Sequence, residues 1–333
     1  MPVQPAAVVR NDALRLEGVV KSFDRHRAVD GLDLTVPRGS IYGLLGPNGA
    51  GKTTTIRMLM GILRPDAGRI HVLGEPASEA TKDRIGYLPE ERGLYPGMKV
   101  LDNLLFFGAL RGLSTAEARA AAGKWLARLR MESTALRKLQ ELSKGNQQKI
   151  QFVATVLHEP ELLVLDEPFS GLDPVNQDLM RTTILDLAAQ GKTIVLSTHL
   201  MDEVERLCSH LTLIHAGRAI VQGALDDVRR EHGGETVHLE LEPGQELDER
   251  HPAIVEVRRV GRSLEIQLGA GADPSAFLSE VAAQVRVRRF EVRGASLHSI
   301  FVRLVSADDP AEVPTLPASA PRVPEAPLTG GGR

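Results

Sequence analysis

Cysteine is almost missing from this sequence: Cys208 is the only one in 333 residues. One thiol excludes an internal disulfide and any multi-cysteine metal site, and it suits a reducing compartment. Its apolar surroundings predict a buried helix residue rather than a reactive thiol. Long apolar runs are also missing. The stretch around Leu162 to Leu165 is far shorter than the ~20 residues a membrane-crossing helix needs, so the chain is not expected to span a bilayer. Met1 to Arg10 lacks the charged start and apolar core of a secretory signal, which predicts a cytoplasmic location. No charge of one sign dominates: 40 Lys and Arg against 43 Asp and Glu leave a formal charge of -3. Without a basic field, nucleic acid is not expected to be the main partner.

What is present is an ordinary globular composition, 42% hydrophobic and 25% charged, which excludes a wholly disordered or fibrous chain. At 333 residues the length exceeds what one core usually fills, so two domains are expected. Leu14 to Val20 and Leu32 to Val36 alternate apolar and polar residues, predicting two half-buried strands. Ile41 to Leu45 reads as a strand, followed by a glycine-rich loop and a helix over Thr53 to Met60. Further apolar runs at Ile85 to Leu88, Leu162 to Leu165, Thr193 to Leu196 and Leu211 to Ile214 alternate with helical segments. This is the pattern of a mostly parallel sheet covered by helices. Val100 to Arg137 carries no strand signal and reads as part of an inserted helical subdomain over about 98–160.

After Gly233 the texture changes. Strand-like runs at Thr236 to Leu241, Ile254 to Val260, Ser263 to Leu268 and Val287 to Val292, with helical segments at Pro274 to Val285 and Ser296 to Leu304, predict a small α+β domain over 233–305. From Ser306 to the end, six of the 20 prolines sit among Ala, Ser and Gly, which predicts a disordered tail over 306–333. The larger domain is assigned to 12–232.

Two segments carry chemistry. Gly46-Pro47-Asn48-Gly49-Ala50-Gly51-Lys52-Thr53 fits G-x-x-x-x-G-K-[ST] and lies between a strand and a helix, as the motif requires. Its glycines let backbone N–H groups wrap a phosphate, and the helix N-terminus favours the anion. Lys52 is expected to hold the β- and γ-phosphates and the Thr53 hydroxyl to bind Mg²⁺; these eight residues and Thr54 are the candidate ATP contacts. The second segment, Leu162-Leu163-Val164-Leu165-Asp166-Glu167-Pro168, ends a buried strand in two carboxylates. Such an ending points to a metal and a reacting water, because unpartnered buried charge is costly. Asp166 is placed as a Mg²⁺ ligand and Glu167 as the general base. A strand-end cap is the bland alternative.

With these motifs in place, Leu142-Ser143-Lys144-Gly145-Asn146-Gln147-Gln148-Lys149 resembles the signature of ATP-binding cassette (ABC) proteins. Ser170-Gly171-Leu172-Asp173 is similar to their D-loop and Ser197-Thr198-His199 to their switch histidine. The resemblance covers about two thirds of the chain and implies an α/β fold: a P-loop NTPase ABC ATPase core with an inserted helical subdomain, then a small α+β C-terminal domain and a tail. It implies ATP hydrolysis with ATP and Mg²⁺ as cofactors, and a pair of cassettes sandwiching two ATP molecules. It further implies that Leu142, Ser143, Lys144, Gly145 and Asn146 contact the nucleotide held by the partner, that His199 senses the γ-phosphate, that Asp173 couples the two sites and that Phe23 stacks on adenine. A core or capping role for His199 and a core role for Phe23 are the competing readings.

Two positions depart from the family pattern. Glu90, in Gly86-Tyr87-Leu88-Pro89-Glu90, stands where Gln usually ligates Mg²⁺ and meets the membrane subunit. Lys144 and Asn146 replace the usual Gly and Gln of the signature. The segment Leu88 to Pro96 and the small C-terminal domain resemble ABC-2 type bacterial exporters of the sodium-efflux kind. The expected function is therefore the ATPase subunit of an exporter, a homodimer or paired with a second ABC ATPase, peripheral on the inner face of the membrane and driving a separate permease. A soluble ABC ATPase acting on nucleic acid or ribosomes is the alternative. Against it, there is one cassette and no long coiled-coil insertion. Arg258, Arg259, Arg262, Arg286, Arg288, Arg289 and Arg293 are interleaved with Glu256, Glu265 and Glu291, which reads as a solvated face.

Overall fold

The computed structural model describes residues 12–91, 93–232, 235–269, 271–294 and 296–308. Arg92, Gly233 and nearly all of the segment read as a tail therefore lie outside the described residues.

The chain opens with β1 (Asp12–Phe23) and β2 (His26–Pro37), then β3 (Ile41–Leu45) and α1 (Lys52–Leu59). Next come β4 (Ala67–Val72), β5 (Glu75–Pro76), the short α2 (Glu79–Lys82) and β6 (Ile85–Leu88). The helical insertion holds α3 (Val100–Leu110), α4 (Thr115–Arg128) and α5 (Lys144–Val156), with 3-10 turns at Glu132–Thr134 and Leu139–Glu141. The chain then returns through β7 (Leu162–Asp166), α6 (Pro174–Ala189), β8 (Thr193–Thr198), α7 (Met201–Leu207), β9 (His210–His215), β10 (Arg218–Ala224) and α8 (Leu225–His232). The last part contains β11 (Glu235–Leu241), β12 (Ile254–Val260), β13 (Ser263–Leu268), α9 (Pro274–Gln284), β14 (Val287–Gly294) and α10 (Leu297–Asp308).

The central sheet has the order β10-β9-β3-β8-β7-β6, parallel except for β10. Its strands are buried along their whole length at β3, β7 and β8, because both faces are covered. Side chains alternate between two cores, as strand geometry demands. Leu162 and Val164 join the core formed with β1, β2, β4 and α1, while Leu163 and Leu165 join the core formed with the helices. A second, antiparallel sheet, β2-β1-β4-β5, covers the first of these faces. The sequence pattern predicted β1 and β2 but not β4, β5 or β10, of whose side chains only Ile70, Val72 and Val221 are buried.

Helix starts follow local chemistry. Ser114 and Glu117 form a reciprocal capping box at α4, and Asp173 caps α6 with Pro174 in its first turn, both sequence-encoded starts. Cys208 is buried as expected, but it lies one residue beyond α7, where its extended backbone ends the helix.

The third sheet, β12-β13-β11-β14, is antiparallel and packs its own core with Phe277 and Val281 of α9. α10 packs elsewhere. Its Leu297, Ile300, Phe301 and Val305 belong to the core shared with α7 and α8, and Phe301 sits edge-on to His215 of β9 with ring centroids 6.1 Å apart. Glu205 of α7 accepts the Leu297 backbone N–H at 2.5 Å and pairs with Arg229 of α8 at 3.1 Å. The described part of α10 runs to Asp308, beyond the point at which composition predicts order to end.

Candidate nucleotide-binding site

β8 lies between β3 and β7, with Leu45 opposite Thr198 and Ser197 opposite Asp166. The segments leaving these three strands therefore emerge at one edge, the carboxyl end, where open α/β sheets bind ligands. The glycine loop follows β3. At Gly46 (φ +153°) a Cβ would lie 2.2 Å from the Ile214 carbonyl oxygen, and at Gly51 (φ +105°) 2.4 Å from that of Ala28. Both the conformation and the space exclude a larger residue. Lys52, the first residue of α1 and only 7% exposed, donates from Nζ to the carbonyls of Gly46 at 2.7 Å and Pro47 at 3.1 Å. Burial depresses its pKa, while Glu167, Asp166 and Glu90 raise it. Lys52 is thus a buried cation held by neutral acceptors, suited to an incoming anion.

Asp166 ends β7 and is 1% exposed. Burial raises its pKa, with Glu90 and Glu167 adding to the rise and the Ser197 and Thr53 hydroxyls opposing it. Its Oδ2 is buried without a hydrogen-bond partner among the described residues. An unsatisfied buried carboxylate is costly, so this donor set fits a cation. Among the described residues no group of three or more His, Cys, Asp or Glu could hold a metal. A divalent ion here would instead draw oxygen ligands from Asp166, Thr53 and the phosphates, the set that Mg²⁺ prefers.

Glu167 has φ +49°, a left-handed conformation rare for a side chain of this kind and a recurrent mark of functional turns. Its N–H continues the parallel pairing to the Ser197 carbonyl at 2.9 Å. Oε1 accepts the His199 backbone N–H at 3.0 Å and lies 2.8 Å from His199 Nδ1, while Oε2 accepts the Thr198 hydroxyl at 3.2 Å.

Gly51, Lys52, Thr53, Asp166, Glu167 and His199 line one cavity of about 490 Å³, with Phe23, Asn48, Gly49, Thr54, Glu90 and Ser170 also in its wall. Phe23 is 43% exposed at the end of β1, with Lys21 Nζ 5.7 Å from its ring centroid. Gly46, Pro47 and Ala50 form the loop without lining the cavity. His26 and Ala28 line it too; the sequence offered no motif that would have marked them. The signature segment does not line it. Ser143 caps α5 by accepting the Asn146 N–H at 3.3 Å, Leu142 is buried and Lys144 exposed, and Gly145 packs on the Gly171 carbonyl. Asp173 is likewise outside the cavity wall.

A strand, a phosphate-binding loop and a buried acidic strand end define the class: a phosphate-loop nucleotide-binding ATPase of α/β fold. A family model described as "ABC transporter" matches residues 29–170, and one described as "ATP-binding protein DrrA1-3-like, C-terminal domain" matches residues 223–305. The chain is 42% identical over 294 residues to the uncharacterized ABC transporter ATP-binding protein YhaQ of Bacillus subtilis, covering 88% of this chain and 99% of that one. It is 37% identical over 304 residues to the Nod factor export ATP-binding protein I of Paraburkholderia xenovorans, covering 89% and 98%. A solved structure of the ATP-binding subunit of an ABC transporter superposes with a TM-score of 0.62 at 32% identity, covering 66% of this chain and 92% of that one. This chain belongs to the ABC transporter ATP-binding proteins, and its relatives include exporter subunits.

Proposed function

We propose that two copies of this chain close around two ATP molecules and that closure drives a separate membrane permease in an exporter. One observation carries the reading. The cavity holds Lys52, Asp166, Glu167 and His199, yet Ser143, Gly145 and Asp173 stand outside its wall. A second chain would bring its own 143–146 segment and Asp173 to the open side of the cavity.

In this reading Phe23 stacks on adenine, and the loop 46–51 with Lys52, Thr53 and Thr54 holds the phosphates. Asp166, Thr53 and Glu90 hold Mg²⁺, which when bound neutralises charge on the phosphate oxygens. Glu167 takes a proton from the attacking water. His199 keeps that carboxylate oriented in the present geometry and is released toward the γ-phosphate on closure.

The permease partner is supported by a surface beside the Glu90 loop. Tyr95, Phe106 and Leu110 are 48%, 38% and 63% exposed, and Tyr95 and Phe106 stack edge to face at 5.3 Å. They adjoin a cavity of about 200 Å³ lined by Tyr87, Leu94, Phe107, Arg111, Gln151 and His158. Exposed aromatic and aliphatic side chains of this kind mark interaction sites. No described helix is long and apolar enough to cross a membrane, so in this reading a separate protein supplies the spanning segments and the cassettes lie on the inner face of the membrane.

Hydrolysis per chain should rise with protein concentration as dimers form, and sizing in ATP and Mg²⁺ should show the dimer. Full-rate hydrolysis by an isolated protomer would reject the two-chain site.

A further inference from the structure

Lys149 lies in the interior of α5 and is 5% exposed. Burial pushes its pKa down, Asp173 pulls it up, and Arg130 depresses it further. Its Nζ donates to two neutral acceptors, Asn176 Oδ1 at 2.9 Å and, more weakly, the Leu129 carbonyl at 3.4 Å. Asn176 in turn donates from Nδ2 to Asp173 Oδ2 at 2.5 Å, and its backbone N–H reaches Asp173 Oδ1 at 3.0 Å. The amide orientation is fixed by chemistry: an ammonium can only donate, and a carboxylate can only accept. The Asn176 side chain thus lies between a cation and an anion with its dipole aligned to both, the arrangement in which hydrogen bonds reinforce one another.

The same two segments touch at two other places. Gln148 donates to the Pro168 carbonyl at 3.5 Å. A Cβ at Gly145 would lie 2.9 Å from the Gly171 carbonyl oxygen and 3.4 Å from a Leu172 methyl, so the start of α5 rests directly on the loop before α6. Gln177 closes that loop by donating to the Leu172 carbonyl at 3.2 Å.

We propose that the Lys149–Asn176–Asp173 relay joins the signature segment and the D-loop of one chain into a single rigid unit, making Lys149 and Asn176 positioning residues for the two-chain ATPase reaction. The inference rests on the sandwich reading above. If both segments act on the partner's nucleotide, they must arrive together, and a hydrogen-bonded relay anchored on buried Lys149 and ending at exposed Asp173 sets their spacing. Neither residue touches nucleotide.

The test compares full-length wild type with Lys149→Met, Lys149→Arg, Asn176→Ala and Asp173→Ala, measuring ATP dependence of hydrolysis, affinity for a fluorescent ATP analogue and thermal unfolding. Lys149→Met should lower kcat about tenfold, within the range that coupling residues command, and reduce cooperativity in ATP while analogue affinity stays within about twofold. Asn176→Ala should act in the same direction, and Lys149→Arg should recover most of the rate because Arg also donates to both acceptors. Lys149→Met combined with Asp173→Ala should cost little more than Asp173→Ala alone. If Lys149→Met fails to fold, half-buried Asn176 keeps the proposal open to refutation. Normal kcat and cooperativity in folded Asn176→Ala would overturn it, as would a loss in Lys149→Met that tracks thermal stability and is not recovered by Arg. Wild type that hydrolyses ATP non-cooperatively as a monomer would instead overturn the sandwich, and this relay with it.

Discussion

His199 donates to Glu167 twice. Its backbone N–H meets Oε1 at 3.0 Å and its ring Nδ1 meets the same oxygen at 2.8 Å. Because an ionised carboxylate only accepts, the ring carries its proton on Nδ1. With Thr198 on Oε2, three of the roughly four acceptor positions of the proposed base are occupied, which leaves one on Oε2 for a water.

Glu167→Gln should therefore keep the shape of this corner but lose the base. Hydrolysis is expected to fall by about 10²–10⁴-fold with ATP affinity retained, and the variant should accumulate as an ATP-bound dimer in sizing experiments. Phosphate release near the wild-type rate would remove Glu167 from the chemistry.

Glu90 adds negative charge to a site that already raises the pKa of Asp166. Productive binding of ATP then leans harder on Mg²⁺ to offset repulsion from the phosphates. Glu90→Gln removes a charged Mg²⁺ ligand and should bind ATP more tightly without Mg²⁺ while needing several-fold higher free Mg²⁺ for half-maximal ATPase activity. Superimposable Mg²⁺ titrations of the two proteins would dismiss the idea.

His158 is a stability sensor by geometry. Burial, with Arg111 adding, lowers its pKa to about 4, and Nε2 donates to the Ile85 carbonyl at 3.3 Å, which leaves a neutral ring with buried Nδ1 unpartnered. The folded pKa lies below the unfolded value of about 6.5. The contribution is therefore complete above pH 6.5 and is lost as pH falls toward 4, where the unfolded chain takes a proton that the fold refuses. The loss should amount to about 2 kcal/mol once solvent reach into the groove is allowed for. Denaturant titrations of wild type and His158→Phe across this range should differ in slope; parallel pH profiles would count against it.

Phe301 is fully buried although it belongs to the last described helix. Phe301→Ala should cost about 3 kcal/mol, and the loss should appear in unfolding of the ATPase part, because α10 shares a core with α7 and α8. A change confined to a separate, earlier transition of the C-terminal sheet would mean that α10 does not brace the ATPase part.

Much of the site could be read in advance. The runs Ile41 to Leu45 and Leu162 to Leu165 announce strands buried on both faces, and the residues after them carry the expected glycines, lysine and carboxylates. β4, β5 and β10 were missed because their apolar signal is too short to read: only Ile70 and Val72 of β4 and Val221 of β10 are buried. The engagement of Glu167 by Thr198 and His199 was not visible either, since it joins positions 31 and 32 residues apart.

Sequence alone determined most of the strands and helices of the central sheet and marked the candidate phosphate-binding loop, because those follow from local backbone preference and side-chain type. Tertiary structure decided the rest: that Lys149 reaches Asn176 across 27 residues, that the signature segment stands outside its own chain's cavity, and that α10 rests on α7 and α8 while α9 serves the C-terminal sheet. An apolar helix face states only that something must cover it. Which surface does so depends on the shape of both partners, and that shape exists only once the chain has folded.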